Sequence, residues 1–414
     1  MDFSKNKVYL FMLSFLVFGY LLAAFIGYKL TLAKEKSNNE DLIDFKLAVN
    51  SVNKFSFDLY KFLTKDEEDN LFYSPLSISI SMAMAYTGSN NNTKKEIANV
   101  FYFLLNQEEL HSSFSNLMEK LSTKKEYDLY IANAIWIQKN LDLLPEFINI
   151  MKKYYRLSFQ EVDYIRNYEQ VRKEINNWIY NQTKQKIKDL LKPGDISTLT
   201  RLVITNAIYF KSNWKYKFDK DKTSQEDFHL LNGKITKVNM MYQNNSFNYF
   251  EDSNIKFLEL PYKNEEISMY VILPKDIKKI NQIENELNQN KLDYFIRNCV
   301  KQRVSVYLPR FRFEKRIVLN DVLKKMGVID AFDENKADFS KINGKKEFFI
   351  SKVIHKGFIE VNEEGSEAAA ATSIVITETA APQEIVFKAD RPFIFIIYHN
   401  KTGCILFIGK LLKP

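Results

Sequence analysis

The chain has 414 residues, of which 46% are hydrophobic and 27% charged, with a formal net charge of +8. That composition excludes a disordered chain, and the length allows a large buried core. The basic excess is scattered, so no nucleic-acid partner is expected. Its densest groups are Lys184, Lys186, Lys188 and Lys192, and more weakly Lys120, Lys124 and Lys125. Each reads as a solvated helix face or, alternatively, as a patch for a polyanion.

Residues 8–28 carry no charge, with Lys5 and Lys7 before them and Lys29 after. Such a run can span a bilayer and exceeds the usual ~7–15 residue core of a cleaved signal peptide. Segment 1–33 therefore reads as a signal-anchor, and Thr31-Leu-Ala33 leaves a cleaved signal peptide open. Either would deliver the remainder outside the cytoplasm, secreted or held to a membrane through 8–28. Flanking lysines on both sides leave the orientation open. Residues 34–41 are polar and read as a linker, and residues 42–414 show no further break and no repeat.

From Phe45 the apolar residues Val49, Val52, Phe55, Leu59 and Phe62 recur with helical period. Ser74-Pro75 is a helix start, with serine as cap and proline at the first position, and Gly88 is its stop. Thr93 and Glu96 have the spacing of a capping box. Leu110, Phe114, Leu117 and Leu121 mark another amphipathic helix, and Val171, Ile175, Trp178 and Ile179 a later one. Ile131 to Ile137 and Leu202 to Phe210 read as strands, the second fully buried.

Beyond Lys234 the pattern is mostly β. Phe257 to Tyr262 and Ile267 to Leu273 form one predicted hairpin, and Phe393 to Tyr398 with Cys404 to Ile408 a second. Val304 to Phe313 is a strand broken at Pro309, and Val318 to Met326 a short helix closed by Gly327. Helices early and strands late indicate one α+β domain.

Few residues suggest reaction chemistry. Cys299 and Cys404 have apolar neighbours and read as buried free thiols. His111, His229, His355 and His399 lie far apart, and no His-Glu-x-x-His occurs, so no metal or other cofactor is expected. No nucleophile elbow, phosphate loop or Cys–His signature argues for an enzyme. Asn91, Asn181, Asn244 and Asn400 begin glycosylation sequons, which arise often by chance in an Asn-rich chain.

One segment is unusual. Between strands ending near Val361 and starting near Ile385, residues 362–382 form a connection longer than the ~12–15 residues typical of structureless loops. Gly365 is its one glycine; Ala368, Ala369, Ala370 and Ala371 follow, then the β-prone run Ile374-Val-Ile-Thr377. With period two, Ser366, Ala368, Ala370, Thr372, Ile374 and Ile376 share one face. Glu367, Ala369, Ala371, Ser373, Val375 and Thr377 share the other. The first face is small, then apolar, and could enter a sheet without clashing. A short Ala-rich helix or a disordered loop is the plain alternative.

The stretch Glu363-Glu-Gly-Ser-Glu-Ala-Ala-Ala-Ala371 resembles the hinge of the serpin family. Four more segments resemble serpin motifs in family order: Asn70 to Ile78, Asn206 to Trp214, Phe387 to Phe393 and Gly403 to Leu411. The resemblance covers about Leu42 to Pro414. It implies an α+β fold of three β-sheets and about nine helices with an exposed reactive loop. It also implies an irreversible inhibitor of serine-type or cysteine-type endopeptidases, and no catalyst. The protease cleaves the loop, is held as an acyl-enzyme, and is carried along as the loop inserts into the main sheet. A non-inhibitory member acting as a binding or chaperone-like module is the alternative, which the small hinge residues disfavour.

Further roles are implied by the resemblance. The hinge comprises Glu363, Gly365, Ser366, Glu367 and Ala368 to Ala371. A polar shutter that controls sheet opening would use Ser74, Ser77, Asn206 and His355. Trp214 would mark where insertion begins, and Arg310 would pair with Glu363, a contact worth ~0–1 kcal/mol if exposed. Family spacing puts the scissile bond at Thr379–Ala380, with Glu378 and Ala381 as neighbouring alternatives. Small residues there suit an elastase- or subtilisin-like protease, and a cut after Glu378 would suit a glutamate-specific one. The protein is expected to be a monomer.

Overall fold

The structure is a computed structural model that describes residues 45–65, 69–104, 106–122, 127–156, 159–263, 265–366 and 385–414. Helix α1 spans residues 45–64 and buries Phe45, Val49, Val52, Phe55 and Leu59, as their period predicts. Phe62, counted on the same stripe, is 42% exposed. After β1 (Leu71–Tyr73), Ser74 caps α2 (Pro75–Gly88) by accepting a hydrogen bond from the Ser77 amide. Every residue of α2 is buried, so this helix runs through the core.

α3 (Asn91–Phe101), α4 (Gln107–Ser122), β2 (Tyr127–Gln138), α5 (Pro145–Tyr155), β3 (Phe159–Val162) and α6 (Tyr164–Gln182) follow. The expected capping box of α3 is not made. Thr93 Oγ1 accepts instead from the Asp338 amide, and the Glu96 carboxylate from the amides of Ile329 and Asp330. Tertiary partners have taken both side chains. Lys184, Lys186 and Lys188 are not on a helix either; they lie in irregular chain after α6. Lys184 and Lys186 sit over the rings of Tyr130 and Tyr209, at 5.2 and 6.0 Å.

The chain continues with β4 (Leu202–Asn213), β5 (Ser224–His229), β6 (Ile235–Glu251), β7 (Ile255–Pro261), β8 (Ile267–Pro274), α7 (Ile280–Glu286) and α8 (Gln289–Arg297). Then come β9 (Val300–Pro309), β10 (Phe311–Val318), α9 (Asn320–Met326), α10 (Ser340–Asn343), β11 (Ile350–Val361), β12 (Gly365–Ser366), β13 (Ile385–Lys388), β14 (Phe393–His399) and β15 (Cys404–Leu411). Both predicted hairpins form, as β7–β8 and β14–β15. The break at Pro309 sends β9 and β10 into different sheets. Gly327 closes α9 with a φ of 120° that other residues rarely adopt.

The fold is α+β. A six-stranded sheet has the order β10-β11-β4-β2-β3, with β12 added on β4. A nine-stranded assembly has the order β1-β15-β14-β8-β7-β6-β9-β13, with β5 on β6. Its long strand β6 pairs β7 at one end and β5 and β9 along the rest, so it joins two smaller sheets. One face of the six-stranded sheet packs on the main core; the other packs under Val171, Ile175 and Ile179 of α6. Among the described residues no helix is long and apolar enough to cross a membrane. The predicted anchor at 8–28 lies outside them.

Candidate functional site

The site is the junction between β4 and β11. These strands run parallel, register Leu202 to Tyr209 against Ile350 to Phe358, and are flanked by antiparallel neighbours β2 and β10. Parallel pairing is slightly the weaker per residue. An extra strand entering here antiparallel to both would turn one parallel ladder into two antiparallel ones.

A row of buried polar groups crosses the sheet at mid-height. Asn133, Asn206 and His355 are direct register partners on β2, β4 and β11. His355 Nε2 accepts from the Ser74 amide at 3.2 Å, which leaves Nδ1 to donate to Asn206 Oδ1. Asn206 Nδ2 donates to Asn133 Oδ1 at 2.9 Å and to Ser81 Oγ at 3.0 Å. Ser77 Oγ donates to Asn133 Oδ1 at 2.7 Å, and Asn133 Nδ2 returns a bond to the Ser77 carbonyl. The four proposed shutter residues thus meet in one network that locks helix α2 to three strands.

Sequence reasoning missed Asn133 and Ser81. The signal for Asn133 was present: an amide inside the apolar run Ile131-Ala-Asn-Ala-Ile135 must find buried partners. Ser81 carries no such signal, since all three serines of α2 are equally buried.

Burial depresses the pKa of His355 to about 3, so it stays neutral and can accept from Ser74. Burial, then nearby Lys94, lowers His111 to about 4; its ring bridges Tyr155 and Thr87 between helices. An unfolded histidine titrates near ~6.5. Below that pH the unfolded chain binds protons that the native chain refuses, so stability falls as pH falls. Thermal melts should therefore show a steady loss of stability between pH 6.5 and 4.5. Carboxylates that the fold holds below their usual range add to the loss only further down. A flat profile across that window would show that these histidines are not buried neutral.

The proposed hinge begins at one end of the junction. β12 pairs antiparallel to β4, Gly365 opposite Asn213 and Ser366 opposite Ser212. Asn362 and Gly365 close a tight turn that joins β11 to this new strand. Gly365 has a φ of 154°, and a Cβ there would stand 2.1 Å from the Ser212 carbonyl oxygen. Only glycine fits so close to β4.

Trp214 holds the turn from below. Its amide donates to the Glu364 carbonyl at 2.8 Å, and its indole Nε1 to the Asn362 carbonyl at 2.9 Å. Glu363 accepts from Arg310 and from Thr223 Oγ1 at 2.7 Å. The carboxylate is buried while Arg310 is about half exposed, so this is not the weak surface pair considered above. Burial pushes the Glu363 pKa up, but the bonds from Arg310 and Thr223 outweigh it and hold it below the usual range. Glu364 behaves alike: burial raises it, and Lys217 and Lys220 overcome that. Lys220 lies 2.9 Å from Oε1, and Lys217 2.6 Å from Oε2 in an ion contact outside good hydrogen-bond alignment.

Residues 367–384 lie outside the described part, and with them Glu367, Ala368 to Ala371, Glu378, Thr379, Ala380 and Ala381. Among the described residues no group of acidic, histidine or cysteine side chains could hold a metal. Cys404 is buried and Cys299 half-buried, and burial pushes both thiols up, Cys299 to about 12, which leaves them unreactive.

The comparisons agree with this geometry. The family described as Serpin (serine protease inhibitor) matches residues 50–414. A human protein named Leukocyte elastase inhibitor is 41% identical over 371 residues, covering 87% of this chain and 98% of its own. An uncharacterized serpin-like protein of Methanosarcina mazei is 40% identical over 392 residues, covering 92% and 91%. The solved structure of a highly specific serpin from the insect Tenebrio molitor superposes with a TM-score of 0.80 at 35% identity, covering 88% and 97%. A sheet with a hinge already seated beside its parallel junction, in a chain this similar to those proteins throughout, makes it a member of the serpin family.

Proposed function

We propose that this protein is an irreversible, suicide-substrate inhibitor of endopeptidases that works by inserting its cleaved loop between β4 and β11. The observation that carries the reading is β12: Gly365 and Ser366 already lie as the first residues of a strand against β4. Continued along β4, that register would put Ala368 opposite Phe210, Ala370 opposite Ile208 and Ile374 opposite Ile204. Those β4 residues face the main core, so the small-then-apolar face of the loop would be the inward one. Continued along both strands, it would put Thr372 between Asn206 and His355. A hydroxyl both donates and accepts. Thr372 could therefore take the Nδ1 proton of His355 in a hydrogen bond and return one to Asn206, replacing the contact that opening breaks.

The bait is proposed at Thr379–Ala380, or one residue to either side, in the loop that β12 and β13 bracket. Small residues there, and the name of the human relative, favour an elastase-like or subtilisin-like target. No Lys or Arg lies between Glu363 and Phe387, which disfavours enzymes that cut after basic residues. The inhibitor is proposed to act as a monomer outside the cytoplasm, secreted or attached through residues 8–28.

Incubation with an elastase- or subtilisin-like protease should give a covalent complex that survives boiling in detergent. Mass spectrometry of the released C-terminal fragment would then fix the scissile bond. Cleavage by every protease tried, with no complex, would instead favour a non-inhibitory binding module.

A further inference from the structure

The hinge is held by a contact that its backbone register does not require. Tyr262 follows β7, in the nine-stranded assembly, and its hydroxyl lies 2.7 Å from Ser366 Oγ of the six-stranded sheet. Both groups are buried. The Tyr262 ring stacks on Trp214 with centroids 4.5 Å apart and planes 12° apart, and Phe210 meets it edge-on at 5.1 Å. Its amide bonds the Ile267 carbonyl at 3.0 Å. Ring and backbone are thus fixed, and the hydroxyl can point only where it does. Ser366 is its hydrogen-bond partner among the described residues.

We propose that Tyr262 is a positioning residue for loop insertion, its hydroxyl latching Ser366 so that the inserting strand starts from a nucleus already formed. The inference rests on the inhibitory reading above and deepens it. If the hinge left β4, the Tyr262 hydroxyl would be a buried donor without a partner, a state that costs more than a hydrogen bond contributes. The latch therefore biases the hinge toward the docked state. Docking matters because insertion competes with hydrolysis of the acyl-enzyme. Closing the first pairs of a ladder is the slow part, since chain entropy is lost before further bonds compensate. A hinge already paired at Asn213 and Ser212 has passed that stage. Tyr262 never touches the protease or the scissile bond.

The test is Tyr262→Phe, with Ser366→Ala, the double variant and Ser366→Thr beside it. Two readouts apply to the full-length protein. Hydrogen exchange at Glu364, Gly365 and Ser366 should speed up about five-fold or more in Tyr262→Phe, the value of one net buried hydrogen bond. Exchange in β14 and β15 should not change, which separates loss of the latch from general destabilisation. The moles of inhibitor consumed per mole of protease should rise severalfold, while the rate of loop cleavage stays the same. Ser366→Ala should match Tyr262→Phe, the double variant should add nothing, and Ser366→Thr should retain wild-type behaviour. Unchanged hinge exchange in Tyr262→Phe, or effects that add in the double variant, would overturn the latch. If the wild type forms no covalent complex, the inhibitory reading fails, and the exchange measurements alone decide the latch.

Discussion

Ser366→Arg should turn the proposed inhibitor into a substrate. Ser366 sits buried between Ser212 of β4 and the Tyr262 hydroxyl, where its small side chain points inward. An arginine there would carry an unpaired charge into the core, which costs several kcal/mol, or would keep the hinge out of the sheet. The second outcome is the cheaper one. The loop would still be cut, but insertion would lose to hydrolysis of the acyl-enzyme. Covalent complex on a denaturing gel should fall ~100-fold or more, with cleaved inhibitor in its place, because each 1.4 kcal/mol of extra barrier is a factor of about ten. The Glu363 and Glu364 contacts lie on the turn itself, so the native fold should survive. Undiminished complex formation by this variant would rule out entry between β4 and β11.

Cleavage of the loop, even by a protease that escapes, should raise the melting temperature by about 10 °C or more. The direct β4–β11 ladder would be exchanged for two antiparallel ladders around a new strand. On the order of ten further backbone hydrogen bonds at ~0.5–1.5 kcal/mol each, together with burial of Ile374 and Ile376, would add ~10 kcal/mol or more. For a chain of this size ~1 kcal/mol shifts the midpoint by about 1 °C. Calorimetry before and after nicking measures it. An unshifted midpoint would mean that the cut loop stays outside, as a non-inhibitory member predicts. A rise would show that the cut chain with its loop inserted is more stable than the uncut form.

The elements that were legible in the sequence are those whose signal is local. Ser74-Pro75 announces α2, Gly327 ends α9, and the two late hairpins follow from alternation and turn residues. The hinge was legible for the same reason: a glycine, small residues and a period of two need no partner to be noticed. Thr93 and Glu96 misled because a capping box is only a local option, and the amides of Asp338, Ile329 and Asp330 competed for the same oxygens. α5 and α8 went unread although their signals are local: Pro145 at the first position with Phe147, Met151 and Tyr155 four apart in α5, and an Asn288 cap on α8; the seven-residue α7 is too short to show a period. Tyr262 and Thr223 were missed because their roles exist only once distant strands are brought together.

The tight turn from Asn362 to Gly365 constrains how a loop that inserts in this way can diversify. Because the turn sets the count, adding or deleting one residue between Gly365 and Thr372 would turn every later side chain to the opposite face of the sheet. It would also move Thr372 away from His355. Under the proposed mechanism, substitutions in residues 377–382 keep that count, so a new target could be acquired there without changing the hinge. A set of such proteins facing changing proteases would then be constant in its hinge and variable in its bait.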